Sequence, residues 1–463
     1  MARRVAYIHS DELIEIADDL PANEGRASLV HQLCSAFALL DDGDTNEDAG
    51  GDEDGVRATL VEPLEASREE LCRFHDAKYI DTILGRDPEA SSDASSESDN
   101  DAPPPSFGLS RSSSSRPPPK KRFKPSASDS LGLTDDCPLF PSLPRYASLV
   151  AGASMTAARL LRDGKPDIAI AWTGGRHHSK RGEASGFCYV NDIVLAVMEM
   201  RGKPVPPPPP SPSGDNEDGT PPPPLKPPKR LSRILYIDLD LHHGDGVESA
   251  FYTTPSCLTL SVHLHAPLFF PATGSLDSTG PTASTGSKPP PGALHALNVA
   301  LEPGAGGEAL ERVWKSCVEA VREAYAPDAV VLQCGVDGLA GDPCKEFNLS
   351  LSALGHCVSA ALAWDLPTLL LGGGGYNHPS AARAWSYLTS IALNRPLPLT
   401  APIPSSLPPE AYRLFAPSFT LDVPGSESAG VRDKNTEESL RRVEEAFQGY
   451  AEGLRRRYEK KEK

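Results

Sequence analysis

A single α/β domain is the fold the sequence predicts: a parallel β-sheet flanked by helices on both faces, with disordered insertions. Two observations carry it. Short runs rich in Val, Ile and Leu on both strand faces alternate with helical patterns along the chain, as in parallel sheets covered by helices. The stretches that break this alternation are too polar or too proline-rich to build a core of their own.

The elements follow in order. "RVAYIH" is the first strand, and "DIAIAW" follows a helix expected over Leu143 to Leu161. A helix over Val190 to Met200 leads to "RILYIDLD" and "CLTLSVH". Gly307 to Tyr325 is helical, "AVVLQCG" is a strand, Leu351 to Trp364 is a helix, and "PTLLLGGGG" and a helix over Ser380 to Leu393 complete the pattern. Four disordered insertions are expected at about 41–55, 86–130, 203–229 and 278–291. Loops of such length would normally count against the assignment, but each falls between well-formed elements. Without them roughly 350 residues remain, enough for one domain. We assign residues 1–400 to this domain and 401–463 to a C-terminal extension ending in a helix.

Composition narrows the class. The chain of 463 residues has 47 prolines but 4 tryptophans, so much of its length is expected not to pack. Its formal net charge of -18 is concentrated in tracts such as "DDGDTNEDAGGDEDG" and "SSDASSESDND", which leaves basic partners such as histone tails open. Nine scattered cysteines without a CxxC pair suit a reduced, intracellular protein. The start "MARRVAYIHSDEL" lacks an apolar signal region and no window would span a bilayer, so no membrane association is expected. "PPPKKRFKP" groups Lys120, Lys121, Arg122 and Lys124 as a candidate nuclear import signal or a solvated charge run.

The chemistry gathers at strand ends, where open parallel sheets bind ligands. In "YIDLDLHHGDG" the residues Asp238, Asp240 and His242 alternate onto one face of a buried strand, and buried carboxylates need a compensating cation or strong hydrogen bonds. "TGGRHHSK" presents His177 and His178, "VVLQCGVDGLAGD" delivers Asp337, and "LLLGGGGYN" places Tyr376 after glycines that let a loop approach a crowded centre. Asp240, His242 and Asp337 fit a catalytic zinc that keeps one position open, and the oxygen-rich set would also suit Fe(II). The His pair fits acid–base chemistry if each ring has a carboxylate partner, for which Asp238 and Asp245 are the candidates; the Tyr376 phenol suits a developing oxyanion.

Together these motifs, with "GRASLVHQL", "FHDAKYI", "GGRHHSKRGEASGFCYVND" and "FFPATG", resemble the zinc-dependent histone deacetylases of class I over nearly all of the chain outside the insertions. The resemblance implies the arginase-like deacetylase fold and a hydrolase that removes acetyl groups from the N6-acetyl-lysine side chains of histones and other proteins, a chromatin regulator and transcriptional repressor in the nucleus and also the cytoplasm. It implies zinc on Asp240, His242 and Asp337. His178 would be general base and then acid, His177 an electrostatic aid, and Tyr376 the group polarising the acetyl carbonyl. Gly186, Phe187 and Phe270 would line the acetyl-lysine tunnel. Asp136 would hold the substrate backbone at its rim, although the preceding Asp135 is not the usual residue. Asp238, Asp240 and Ser261 also resemble a structural potassium site.

Departures from the family pattern matter. Arg176 replaces an apolar or aromatic residue and sets a fixed charge near the tunnel or the foot pocket below it; Cys344 replaces a Met or Leu of the tunnel. Pro343 and Pro379 stand where relatives in corepressor complexes carry arginines for inositol phosphate, which argues against obligatory assembly of that kind. No sequence-specific nucleic-acid binding is expected, and chromatin factors are the partners the insertions would suit. The competing readings are an acetylpolyamine amidohydrolase, against which Arg176 argues, and a non-catalytic chromatin scaffold, against which the intact ligand set and Tyr376 argue. Arginase activity is disfavoured because it needs a second metal where His177 and His178 stand.

Overall fold

The computed structural model describes residues 3–41, 56–86, 129–205, 229–284, 287–423 and 431–459. Nine strands form one sheet: β1 (Val5–Ile8), β2 (Leu40–Asp41), β3 (Ala58–Val61), β4 (Ile168–Ala171), β5 (Ile234–Asp238), β6 (Cys257–Leu264), β7 (Ala296–Leu301), β8 (Ala329–Gln333) and β9 (Thr368–Leu371). All pairings are parallel, in the order β2-β3-β1-β4-β9-β8-β5-β6-β7.

Both faces are covered, which is why the strands are apolar on both sides. Leu235 and Ile237 of β5 join one core with Trp314, Val318, Leu354 and Trp385. Their neighbours Ile234 and Tyr236 point into the opposite core with Leu149, Ala153, Ile193 and Val194. All six strands expected from sequence are present. The three further strands gave weaker signals: β2 has two residues, β3 four, and β7 carries Asn298 inside its apolar run. Asn298 is tolerated in the interior because its amide donates to Glu248 Oε2 and to the Ser278 carbonyl.

The expected helices appear as Leu143–Arg162, Asp192–Met200, Leu351–Leu362 and His378–Ala392. The fifth, Gly307 to Tyr325, is split by a π-helical turn at Trp314–Val318 between Gly307–Val313 and Glu319–Tyr325. The helix Glu437–Glu459 docks, burying Leu440, Val443, Phe447, Ala451 and Leu454 at helical spacing. Arg312 pairs with Glu437 at 2.6 Å and with Glu444 at 2.8 Å beside it.

Most of the expected insertions 41–55, 86–130 and 203–229, with the Lys120 to Lys124 cluster, lie outside the described residues. The fourth differs from expectation over residues 278–284 and 287–291, which form an anchored loop. Leu294 N donates to the Thr279 carbonyl at 2.7 Å, and Arg457 Nη2 to the carbonyls of Pro290 and Pro291 at 3.0 and 2.6 Å. Long-range partners from the docked C-terminal helix hold a segment whose own composition could not.

The strands that carry the four polar motifs, β4, β9, β8 and β5, are adjacent at the centre of the sheet. With every strand parallel, their carboxyl ends and the motifs that follow them open on one side.

Candidate active site

Asp238 ends β5 fully buried. Its carboxylate accepts from Tyr236 Oη at 2.6 Å and from Asp240 N at 3.1 Å, and lies 2.8 Å from His177 Nδ1. The chain then turns so that Asp240 and His242 face Asp337, which follows β8. His242 Nδ1 is 2.9 Å from Asp337 Oδ2 and 3.3 Å from Asp240 Oδ1. Burial and then the charge of Asp240 push the Asp337 carboxyl up to about 7. Two carboxylates and an imidazole therefore converge in the interior.

That convergence permits a test of fit. Ligands of a tetrahedral zinc at ~2.0–2.1 Å stand roughly 3.3 Å apart, close to the 2.9 and 3.3 Å separations of His242 Nδ1 from the two carboxylates. The donor types fit as well, since His and Asp are both common zinc ligands. Cys344 also brings Sγ within 4.8 Å of the His242 and Asp337 donor atoms. Burial, followed by the charges of Asp337 and Asp342, pushes its thiol up and favours the protonated form, so Asp240 is the better third ligand.

The glycine run after β9 is explained by contact. A Cβ on Gly374 would stand 2.4 Å from Asp337 Oδ2 and 3.0 Å from Asp240 Oδ2. Instead the bare backbone reaches the carboxylates, and Gly374 N donates to Asp240 Oδ2 at 2.8 Å.

His177 and His178 follow β4 and lie side by side, their ring centres 3.9 Å apart. Each has the carboxylate expected of it, Asp238 for His177 and Asp245 for His178, both at 2.8 Å from Nδ1. Their environments nevertheless drive them apart. Burial opposes a charge on His177, but Asp238 and Asp240 outweigh it and raise the pKa to about 9. Burial and then the charge of His177 lower His178 to about 4, against the pull of Asp245. Asp245 is further engaged by Lys180, 3.4 Å from its other oxygen.

One cavity is lined by His177, His178, Gly186, Phe187, Asp240 and Tyr376, with Arg176 and Asn23 among its other walls. Gly186 is held at φ +55, and a Cβ there would lie 2.4 Å from the His178 ring. Its N–H donates to Asp136 Oδ2 at 2.8 Å, which fixes the exposed Asp136 at the rim. Phe187 meets the Tyr376 ring edge-on at 5.8 Å, and Phe270 meets His178 edge-on at 4.8 Å. Burial and then Asp337 and Asp240 raise the Tyr376 phenol well above its usual value, so it remains a donor. Ser261 pairs in register with Asp238, while its Oγ bonds to His263 Nδ1 at 2.9 Å. Pro343 and Pro379 line one open groove of about 550 Å³ beside Tyr376.

Several contributors escaped sequence reasoning. Gln333 at the end of β8 donates to Asp240 Oδ2 at 2.8 Å while its Oε1 accepts from Gly335 N. Asp342 accepts from the N–H groups of Tyr376 and Asn377 at 2.8 and 3.2 Å. Asp192 accepts from the N–H groups of Gly175 and Arg176 at 2.9 and 2.7 Å. Polar side chains at the ends of apolar runs were the available signal, but their partners lie far along the chain. Arg26, inside "GRASLVHQL", is buried, donates to the Gly375 carbonyl at 2.8 Å and stands over the Trp385 ring. Burial and then the like charge of Arg176 lower it to about 9. Arg176 lines both this site cavity and an adjoining one that it shares with Arg26.

The histone deacetylase domain model matches residues 20–205 and 225–392. The chain is 35% identical to histone deacetylase 8 of Danio rerio over 96% of its length and 95% of that protein. It is 34% identical to histone deacetylase 8 of Xenopus tropicalis, covering 96% of each. With histone deacetylase 2 of Oryza sativa subsp. japonica it shares 34% identity over 95% of this chain and 70% of the relative.

Proposed function

The chain belongs to the histone deacetylase family, and from that premise we propose how its own residues divide the work. It is a hydrolytic protein deacetylase of the zinc-dependent kind, and its substrates are acetyl-lysine side chains. Asp240, His242 and Asp337 hold the metal, which when bound polarises the acetyl carbonyl and activates water. His178 takes the proton of the attacking water and delivers it to the departing lysine nitrogen. His177, held charged by Asp238, stabilises negative charge beside it, and Asp245 sets the tautomer and tilt of the His178 ring. Tyr376 donates to the oxygen on which charge develops, a contribution of ~10²–10³ in kcat for such a donor. Phe187, Phe270 and Gly186 enclose the lysine stem, and Asp136 receives the substrate backbone.

The observation that carries this assignment is the paired arrangement of His177–Asp238 and His178–Asp245, at 2.8 Å each, against the Asp240, His242 and Asp337 cluster. Such opposed environments are how one site obtains a charged and a neutral imidazole together.

Histone tails as the substrate, action in the nucleus as well as the cytoplasm, and chromatin factors as partners belong to the same proposal. So do the domain limits 1–400 and 401–463, and a structural potassium ion near Asp238, Asp240 and Ser261, for which the β5–β6 register is the support.

The test is acetate release from an acetyl-lysine histone-tail peptide by the purified protein, before and after metal removal and after zinc is restored. Release lost and regained with zinc is expected. Folded, metal-loaded protein that releases no acetate would overturn the assignment.

A further inference from the structure

Two arginines lie buried behind the catalytic cavity, Arg26 at 3% and Arg176 at 5% exposure. They line one adjoining cavity with Asn23, Thr173, Trp172 and Tyr7. Among the described residues neither guanidinium has a carboxylate partner in an ion pair. Asp192, whose carboxylate reaches this segment, uses its oxygens on the backbone N–H groups of Gly175 and Arg176 and on the Ser154 hydroxyl. Arg26 donates to the Gly375 carbonyl and Arg176 Nη2 to the Thr173 carbonyl, but carbonyls offer dipoles, not charge. Asp192 attracts Arg176 and Asp337 attracts Arg26 from a distance, but a buried cation without a carboxylate in direct contact is costly, and two side by side more so.

The polar atoms around them show the same deficit. Arg176 Nε, Thr173 Oγ1 and Asn23 Oδ1 are all buried without a hydrogen-bond partner. Unpaired buried donors and acceptors of this number are uncommon and point to a missing ligand or solvent. Asn23 and Arg176 also line the catalytic cavity beside His178, Asp240 and Tyr376. An acyl group seated there would therefore have Arg176 in its far wall.

We propose that Arg176, with Arg26 behind it, forms an anion subsite that accepts the terminal carboxylate of an acidic acyl-lysine, extending the chemistry of this chain from acetyl-lysine to malonyl-lysine. The inference rests on the deacetylase reading above and deepens it. Cavity size selects the shortest acid: the adjoining space is about 20 Å³, room for roughly one water-sized group. Malonyl adds one carboxylate to the acetyl carbon, and succinyl adds a further methylene for which space is lacking. The reaction is ordinary hydrolysis. Water oxygen bonds to the acyl carbon, the carbon–nitrogen bond breaks, the nitrogen gains the proton, and malonate and lysine are released. Bidentate guanidinium recognition of a carboxylate gives the preference its chemistry.

The test measures amine release by mass spectrometry from one peptide carrying acetyl-, malonyl-, succinyl- or isovaleryl-lysine, the last being the neutral shape match of malonyl. Wild-type enzyme is expected to favour malonyl over isovaleryl by at least about tenfold in kcat/KM, with succinyl behind malonyl. Arg176→Leu should invert the malonyl-to-isovaleryl ratio and Arg176→Lys should retain part of it. If Arg176→Leu does not fold, the wild-type ratio and the Lys variant still decide. Sodium formate is the free-anion probe: competition by formate without malonyl preference would assign the subsite to small anions and overturn the acyl proposal. Equal or better cleavage of isovaleryl-lysine overturns it too. Acetyl-lysine left intact while malonyl-lysine is cleaved would sink acetyl specificity and uphold the subsite; inertness toward every peptide would sink both.

Discussion

Gln333 illustrates how much of the site depends on side chains that touch no substrate. It grips Asp240 Oδ2 at 2.8 Å and is itself held by Gly335 N at 2.8 Å, so the carboxylate can turn neither away from His242 nor into the core. Groups that orient metal ligands are typically worth 10–100-fold in metal affinity or activity. Gln333→Leu keeps the bulk and removes both hydrogen bonds. Zinc affinity, measured by competition with a chromogenic chelator, should fall about 10–100-fold. Unchanged affinity would show that Gly374 N, the other donor to Asp240 Oδ2, and His242 N, which donates to Oδ1, suffice. Alteration of Tyr376 should leave metal affinity intact and act on turnover, because its phenol lines the cavity and its backbone, not its ring, is tied to Asp342.

At the scale of elements, the motif "FHDAKYI" acts as a clamp on the loop that carries the catalytic histidines. Tyr79 Oη, on the helix Ala77–Ile83, donates to the Tyr189 carbonyl at 2.6 Å. His75 Nε2 accepts from Asn191 N at 3.0 Å, so its Nδ1–H is the one that faces the Arg181 carbonyl at 3.3 Å. Asn191 in turn caps the helix Asp192–Met200 and donates to the Ser179 carbonyl. A second proton on His75 would set two N–H groups against each other. Burial lowers its pKa to about 4, more than the carbonyls of Arg181 and Lys180 can restore. The imidazole is thus neutral in the folded state at pH values where an unfolded chain, with its pKa near 6.5, binds a proton. Stability from this residue is complete above about pH 6.5 and declines by roughly 3 kcal/mol as pH falls toward 4. Urea unfolding at pH 7 and pH 5 should show a shallower acid loss for His75→Gln than for wild type, whatever their neutral stabilities; parallel losses would refute the clamp's role. The strands were legible because both faces of each central strand are apolar, and the convergence of Asp240, His242 and Asp337 was legible because acids and an imidazole at the ends of adjacent parallel strands leave few arrangements. Gln333, Asp342 and His75 were not, since each acts on a backbone or carboxylate distant in sequence and only the folded sheet brings the pairs together.

Across the whole molecule, the C-terminal helix Glu437–Glu459 closes the sheet's far flank instead of trailing from it. It packs along Glu319–Tyr325, while Arg457 anchors the loop at Pro290 and Pro291 and Tyr450 Oη donates to the Leu276 carbonyl at 3.0 Å. Residues 401–423 belong to the same body, with Ile403, Leu407 and Phe415 in the core shared with β5. Residues of this segment and of the helix Glu437–Glu459 thus pack on the same core as β5. Phe447, fully buried and edge-on to Tyr450 at 5.4 Å, is the central contact. Phe447→Ala leaves a cavity and should cost about 3–5 kcal/mol. Because the helix is bound mainly through one apolar stripe, this loss should appear first as local detachment: cleavage by trypsin within Arg441–Arg457 should rise well before the catalytic site loses metal. The loop segments 278–284 and 287–291 should become protease-sensitive with it, because Arg457 leaves at the same step. Exposed Arg441→Ala, on the outer face of the same helix, should change neither. Simultaneous loss of metal and helix in Phe447→Ala would mean instead that the extension and the sheet unfold as one cooperative unit.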